Sequence, residues 1–285
     1  MAGTIINKTG FLAIVCITMA FSSGIKNADG SPAIALWELS VVPVKMSDSL
    51  PAGIKKLLAV YPGAFKGASK NALIWKDNTV MVFDDGIQNK SFQALLDSAD
   101  LQDQVDAMRY PPGSIQKPQK NNDPGRARYE PFFLKMYGNS EQAVRANLVE
   151  ITWLPATVNQ KIKVSRVNGV ATQLQKISAE LDNHPEWTKY LTHIGGTFNW
   201  RKISGTNRLS THCFGITIDI NTDFSNYWQW DNKTWKTQGE QMDLDYNNRI
   251  PQAIVKIFEK HGFIWGGKWY HYDTMHFEYR PELLF

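Results

Sequence analysis

Two side chains that are costly to bury, His212 and Asp219, interrupt an otherwise apolar stretch, "NRLSTHCFGITIDI", at residues 207–220. Such a pair can form a buried hydrogen bond or can bind a metal ion, and the pair alone leaves both options open. Downstream, His276 follows Asp273 by three residues in "DTMHF". Two imidazoles and a carboxylate are a common zinc ligand set that leaves one position open for water. A second carboxylate beside that water, here Asp273, is what a hydrolase needs as its general base.

Two other side chains compete for roles in this group. His271 is an alternative to His276, but it lacks a carboxylate at the same offset. Cys213 could act as a nucleophile with His212 as its base. Adjacent residues on a strand point to opposite sides, however, and a lone cysteine between hydrophobic neighbours is usually an inert buried thiol. We therefore expect His276 in the metal site and no catalytic role for Cys213.

The elements that must position these residues begin with a strand. Isoleucines alternate with polar residues over 216–220, so Asp219 should point away from the apolar core. Gly215 allows a bend just before this strand. Such a bend can bring His212 back beside Asp219.

Hydrophobic spacing predicts further elements on both sides of this strand. Residues 72–86 are typical of a hairpin that turns at Asp77 and Asn78, and 92–105 have helical spacing. Two more helices should bury Val170, Leu174, Ile177 and Leu181, with Asn168 as the cap, and Ile254, Ile257 and Phe258, ending at Gly262. Strands are predicted at 149–154 and 160–166. The mixture favours an α+β fold with a small antiparallel sheet and flanking helices.

The 285 residues divide, by these patterns, into three parts: a signal peptide at 1–23, an accessory region of uncertain fold at 24–160 and a catalytic domain at 161–285. A Pro-, Gly- and Asn-rich loop at 111–130 either borders a cleft or is a surface excursion. Half of the aromatic residues follow residue 199, and they indicate either core or an aromatic-walled groove.

The amino terminus has the layout of a secretory signal, with Lys8 before the apolar run "FLAIVCITMAF" and small residues after it. A run of about 11 residues is short of the ~20 that span a bilayer as a helix. We expect an exported protein, periplasmic or associated with the cell wall, with no stable membrane span after cleavage. Lipidation at Cys16 is an alternative that the branched Val15 disfavours. Oligomeric state is open.

Composition excludes some partners. Hydrophobic residues make up 43% and charged residues 20%, as in a globular protein, and the net charge is only +4. No run of Lys or Arg is long enough to follow a nucleic-acid backbone, so we expect no nucleic-acid partner.

Two separated motifs carry a family resemblance: "SxHxxGxxxD" at 210–219 and "GFxWGGxW" followed by "DxxHF" at 262–277. Their types, spacing and order resemble M15-type zinc D-alanyl-D-alanine carboxypeptidases and L-alanyl-D-glutamate endopeptidases, a group that includes VanX-like dipeptidases and phage endolysins. The resemblance covers about residues 165–285. It implies the small-sheet fold that zinc DD-peptidases share with hedgehog-like domains.

The resemblance also implies roles. His212, Asp219 and His276 fall on the zinc ligands, and Asp273 falls on the general base, where VanX-like members have Glu and the endopeptidase branch has Asp. It implies Zn²⁺-assisted hydrolysis of amide bonds in peptidoglycan stem peptides.

An arginine near the substrate carbonyl is also implied, with Arg201 first and Arg208 as its rival. Ser210 and Trp269 are further substrate-binding candidates. Thr217 departs from the family's usual Ala, which bears on the shape of the pocket. A zinc-containing wall-binding module without turnover is the alternative function.

Overall fold

A four-stranded antiparallel sheet in the carboxy-terminal half carries the histidines and carboxylates of interest. The structure is a computed structural model and describes residues 50–238 and 243–284. The strand order in this sheet is β6-β7-β9-β8. Its strands are β6 (Ile194–Gly196), β7 (Thr217–Asn221), β8 (Phe263–Trp265) and β9 (His276–Tyr279).

Two smaller sheets precede it in the chain. The first has the order β1-β2-β3, formed by β1 (Phe65–Ser69), β2 (Ala72–Trp75) and β3 (Val80–Val82). The second pairs β4 (Leu148–Trp153) with β5 (Gln160–Ser165) in antiparallel register. The predicted hairpin is confirmed, because β2 and β3 pair across a turn in which Asn78 has a φ of 69°.

Short helices surround these sheets. In chain order they are α1 (Ala52–Val60), α2 (Phe92–Asp97), α3 (Glu130–Tyr137), α4 (Glu141–Arg145), α5 (Val170–Leu181), α6 (Thr188–Leu191), α7 (Trp228–Asp231), α8 (Trp235–Gln238) and α9 (Gln252–Lys260). The predicted inward faces of α5 and α9 are buried, and Phe258 of α9 stacks on Phe277 of β9 with ring centroids 3.8 Å apart. The α+β prediction, with small antiparallel sheets, is confirmed.

Two local predictions were wrong. The helix predicted over 92–105 is broken after α2, because Asp100 and Asp103 cap each other: each side chain accepts a hydrogen bond from the other's backbone N–H, at 3.0 and 2.7 Å. A separate helical turn, Asp103–Ala107, starts there. Asn168 does not cap α5 either. It lies in the left-handed region with a φ of 53°, and Gly169 occupies the cap position without a side-chain hydrogen bond.

Residues Pro51–Phe285 form one compact unit, which contains both the predicted catalytic domain and much of the region before it. Tyr61, which directly follows α1, and Gln104, in the helical turn after α2, contact the carboxy-terminal end of the chain. The Tyr61 hydroxyl donates to Glu282 Oε2 at 2.6 Å, and Gln104 Nε2 donates to Glu282 Oε1 at 3.2 Å. Residues of the region before the predicted catalytic domain therefore help to support the four-stranded sheet.

The signal peptide predicted at 1–23, with Cys16, and the following residues to 49 lie outside the described residues. Within the two described ranges, no helix combines the length and the apolar character that crossing a bilayer requires.

Candidate active site

The register between β7 and β9 places a carboxylate beside an imidazole. Asp219 is directly opposite His276, and Thr217 is opposite Glu278. Because directly paired residues in an antiparallel sheet share a face, all four side chains project from the same side. The isoleucines of β7, Ile218 among them, point to the other side and are fully buried.

His212 reaches the same face from a tight turn ahead of β7. Thr211–Phe214 form a 3-10 turn in which Ser210 Oγ accepts a hydrogen bond from His212 N at 3.4 Å. Gly215 ends the turn with a φ of 63°, and a Cβ at this position would lie 2.6 Å from Leu148 Cδ2. Only glycine tolerates both the positive φ and the lack of space for a Cβ, so the predicted bend at Gly215 is present. His212 lies on a turn, however, and not on a kinked strand.

The three predicted ligands form one cluster. Asp219 Oδ2 lies 3.2 Å from His212 Nε2, and Asp219 Oδ1 lies 3.0 Å from His276 Nδ1. One ligand atom from each residue lies within 4.8 Å of the other two. A tetrahedral zinc site with bonds of about 2.0–2.1 Å separates its ligand atoms by about 3.3 Å. The donor types and their spacing therefore fit zinc with small adjustments of the side chains.

The charges in the cluster are tightly linked. Burial opposes ionisation of Asp219, but the charges and hydrogen bonds of His212 and His276 hold the pKa of Asp219 well below its usual range. Burial alone would lower the pKa of His276, yet the carboxylates of Asp219 and Glu278 raise it to about 10. The site thus attracts positive charge, either a proton on His276 or a metal ion that replaces it.

Glu278 is a site residue that sequence reasoning missed. Its side chain is fully buried, and Oε2 lies 3.1 Å from His276 Nε2. Arg280 Nη1 in turn contacts Glu278 Oε1 at 3.0 Å, and Arg280 Nε contacts Glu282 Oε1 at 2.6 Å. Metal-binding histidines commonly donate their second ring N–H to a carboxylate in this way, which fixes the tautomer and the ring orientation. The period-two spacing of "HFEYR" on β9 was the available signal.

Asp273 lies in the turn before β9 and faces the same cleft as the cluster. Its Oδ1 is shielded from solvent and has no hydrogen-bond partner. Burial, helped by the negative charge of Asp219, raises the pKa of Asp273 to about 6. Gly266 makes this position possible, since a Cβ there would lie 2.6 Å from the Asp273 carbonyl oxygen. A partly shielded carboxyl with a pKa close to neutral is suited to accepting and returning a proton.

The cleft has a volume of about 330 Å³ and brings together most of the predicted site residues. Arg201 lines it from the exposed side, whereas Arg208 does not line it. Arg126, from the loop at 111–130, also lines it, and its positive charge acts to lower the pKa of Asp273. Sequence reasoning missed Arg126 because the loop that carries it has no pattern to indicate which side chain turns inward.

Aromatic residues form the walls of the cleft, as one of the two predicted alternatives required. Trp269 is buried with its ring centroid 5.5 Å from that of His276, and its indole N–H has no partner. Tyr227 and Trp230 lie on another side, and Ser210 is part of the lining. The loop packs tightly against this wall, because a Cβ at Gly125 would lie 2.2 Å from Trp269 Cζ2. The loop at 111–130 therefore borders the cleft.

The competing side chains lie elsewhere. His271 Nδ1 lies 2.6 Å from Asp123 Oδ2, outside the metal-ligand cluster. The Cys213 thiol is buried between the N–H and the carbonyl of Arg201, at 3.1 and 3.0 Å, and burial raises its pKa. A nucleophilic thiol needs a lowered pKa. The Thr217 hydroxyl donates to the Thr197 carbonyl at 3.1 Å and does not reach the cleft lining.

The comparison with protein families supports the same segment of the chain. Residues 204–279 match a family described as D-alanyl-D-alanine carboxypeptidase. The chain therefore carries an M15-type peptidase segment. The segment includes the three clustered ligands and Asp273 but begins after Arg201. Neither the search of curated proteins nor the search of solved structures gave a match.

The match over residues 204–279 supports, in general terms, a peptidase related to peptidoglycan. Several residues that shape the site lie outside the match, among them Arg126 of the loop and Arg280 behind Glu278. Some of the residues that support the metal-ligand cluster therefore lie in parts of the chain that the family match does not cover.

Proposed function

We propose that this chain is an exported zinc metallopeptidase that hydrolyses amide bonds in peptidoglycan stem peptides. The observation that carries the proposal is a shielded, unpartnered carboxylate, Asp273, in one cleft with the cluster of His212, Asp219 and His276. A structural metal site has no use for such a carboxylate, whereas hydrolysis needs one as a proton acceptor.

Zinc would be held by His212 Nε2, a carboxylate oxygen of Asp219 and His276 Nδ1, the atoms that face one another in the cluster. When bound at such a site, zinc lowers the pKa of water from ~15.7 towards ~7 and polarises a carbonyl oxygen. Glu278 would keep the proton of His276 on Nε2, so that Nδ1 presents its lone pair to the metal.

The Asp273 carboxylate would accept a proton from the attacking water and return it to the departing amine. In the metal-free protein, burial raises the pKa of Asp273 to about 6. The positive charge of a bound zinc ion would lower this pKa, so Asp273 would be ionised at neutral pH and able to act as a base. Arg126, Arg128 and Arg201 are the arginines that line the cleft and could stabilise negative charge on the scissile carbonyl. Removing one such preorganised donor typically costs about 3–4 kcal/mol of transition-state stabilisation.

The family match over residues 204–279 supports the proposed substrate class. Both D-Ala-D-Ala carboxypeptidase and L-Ala-D-Glu endopeptidase activities fit this proposal. The predicted signal at 1–23 would deliver the enzyme to the periplasm or the cell wall, where such peptides are found.

Digestion of purified sacculi, followed by mass spectrometry of the new peptide termini, tests the proposal and identifies the cleaved bond. We expect new termini with the zinc-loaded protein, none after chelation, and recovery when zinc is returned. Asp273→Asn should retain zinc and lose hydrolysis. An Asp273→Asn protein with zinc and undiminished hydrolysis would refute the proposed base, and zinc binding without any hydrolysis by the wild type would favour a wall-binding module.

A further inference from the structure

A second pocket of about 280 Å³ adjoins the metal-site cleft. The two share Arg126, Ile203, Ser204, Tyr227 and Gln229 in their linings. We call it the aromatic pocket and define it by Phe92, Arg126, Arg208, Trp228, Trp235 and His271. A peptide lying across the cleft therefore has a continuous path into this pocket.

Three hydrogen-bond donors of the aromatic pocket have no acceptor. The Nε–H of Arg126, the Nε–H of Arg208 and the indole N–H of Trp228 are all shielded from solvent and unpartnered. The nearest carboxylates are too distant to accept: Asp123 lies 3.7 Å from Arg126 Nε, and Asp97 lies 3.6 Å from Arg208 Nε. Buried donors without acceptors are unfavourable, so these side chains favour a ligand with acceptor oxygens, which small side-chain movements would bring within reach of the N–H groups.

The charge of the pocket indicates which acceptor fits. Burial, together with the adjacent positive charge of Arg126, lowers the pKa of Arg208, while the negative charges of Asp97 and Glu130 act in the opposite direction. Among the described residues that line the pocket, Asp123 is the one carboxylate, and it is already engaged by the backbone and ring of His271 at 3.0 and 2.6 Å. A carboxylate ligand would pair with both guanidinium groups, which a neutral sugar would not.

The walls suit the rest of such a ligand. The ring of Trp228 lies 4.8 Å from that of Trp235 and 4.6 Å from that of His271, and Phe92 stacks on His271 with ring centroids 5.5 Å apart. These flat apolar faces would contact the methylene groups of an amino-acid side chain. The volume of about 280 Å³ suits one amino-acid residue better than an extended polymer.

We propose that the aromatic pocket binds a free carboxylate of the peptide substrate, held by Arg126, Arg208 and the indole N–H of Trp228, next to the scissile amide. This inference rests on the proposed peptidase function for the identity of the peptide. The preference for an acidic group is a property of the pocket itself and is independent of zinc.

Isothermal titration of the full chain tests the inference with two dipeptides, acetyl-L-Ala-D-Glu and its diamide, in which both carboxylates are replaced by carboxamides. We expect the diacid to bind at least about 10-fold more tightly than the diamide, the scale of charge-assisted hydrogen bonds. The preference should be the same in the chelated wild type and in the zinc-loaded Asp273→Asn protein, which would not hydrolyse the probe. Equal affinities, or a preference seen only with zinc bound, would overturn the inference.

Two variants test which residues cause the preference for the diacid over the diamide. Arg208→Gln should reduce the preference to within about 2-fold, while Lys202→Gln, which removes an exposed charge nearby and leaves both pockets intact, should not change it. Trp228→Phe keeps a ring but removes the donor, so it should weaken binding of the diacid more than that of the diamide. If folded Arg208→Gln and Trp228→Phe proteins both keep the full preference, the carboxylate binds elsewhere.

The outcomes separate this inference from the proposed function. Selective binding of the diacid without any hydrolysis of sacculi would refute the peptidase proposal and leave the pocket assignment intact. Zinc-dependent hydrolysis without selective binding would refute the pocket assignment alone.

Discussion

Replacing Asp273 with asparagine should make the metal-free protein more stable at neutral pH, although the residue is proposed to be essential for hydrolysis. In the folded chain, burial and the charge of Asp219 raise the pKa of Asp273 from 3.8 to about 6. Below pH 3.8 the group is neutral in both the folded and the unfolded chain. Between pH 3.8 and 6 the unfolded chain binds fewer protons, so the free energy of unfolding falls as the pH rises.

The magnitude follows from the same shift. A rise from 3.8 to about 6 is about 2 units, and at 1.36 kcal/mol per unit it is equivalent to at most about 3 kcal/mol above pH 6. Asparagine resembles the neutral form of the side chain in size and charge. We therefore expect Asp273→Asn to raise the free energy of unfolding by about 1.5–3 kcal/mol at pH 7 and to leave it nearly unchanged at pH 3.

Urea denaturation of the chelated protein at pH 3, 5 and 7 measures this difference. Asp77→Asn is the control, because hydrogen bonds from Lys135 and Thr79 lower the pKa of Asp77 to about 2, so its substitution should not stabilise the protein at pH 7. A loss of stability for Asp273→Asn at pH 7, or an equal gain at pH 3 and pH 7, would show that Asp273 does not carry the proposed electrostatic cost.

Three further predictions concern the support of the metal site. Glu278→Gln should lower zinc affinity about 10- to 100-fold, measured in competition with a chromophoric chelator. Glu282→Gln makes the same charge change without contacting the imidazole ligand, so it should change zinc affinity less than about 2-fold. Equal losses of affinity would argue against an orienting role for Glu278. Arg280→Met removes the cation that two fully buried carboxylates, Glu278 and Glu282, share, and it should cost about 3–5 kcal/mol in urea denaturation. A loss below about 1 kcal/mol would contradict this. Gly125→Ala should reduce both stability and zinc affinity, because the added Cβ would lie 2.2 Å from Trp269 Cζ2 and 2.8 Å from Glu278 Oε1. Gly67→Ala is the control: its Cβ would have no neighbour within 4 Å, so it should change neither quantity.

The sequence predicted the elements whose patterns are local. The inward face of α5, the helix α9 and the hairpin at Asp77 and Asn78 all follow from spacing over a few residues. The motif order brought His212, Asp219 and His276 to attention as one group, and the β7–β9 register places two of them directly opposite each other.

What the sequence did not reveal depends on contacts between distant positions or on competition within a turn. The role of Glu278 depends on Arg280 and Glu282, which pack behind it. Glu282 in turn accepts a hydrogen bond from Tyr61, which is 221 residues away in the chain. Arg126 lies in a loop without periodicity. The break after α2 came from mutual capping by two aspartates, which outweighed an apolar spacing that would otherwise have continued the helix.

The most direct test of a zinc peptidase centred on His212, Asp219 and His276 is the zinc content of the purified chain, measured by inductively coupled plasma mass spectrometry after dialysis. We predict one zinc per chain in the wild type, and less than about one tenth of that in His276→Ala and in His212→Ala with the fold retained. Stoichiometric zinc in either folded variant, or a zinc-free wild type that cleaves sacculi in the presence of chelator, would contradict the account.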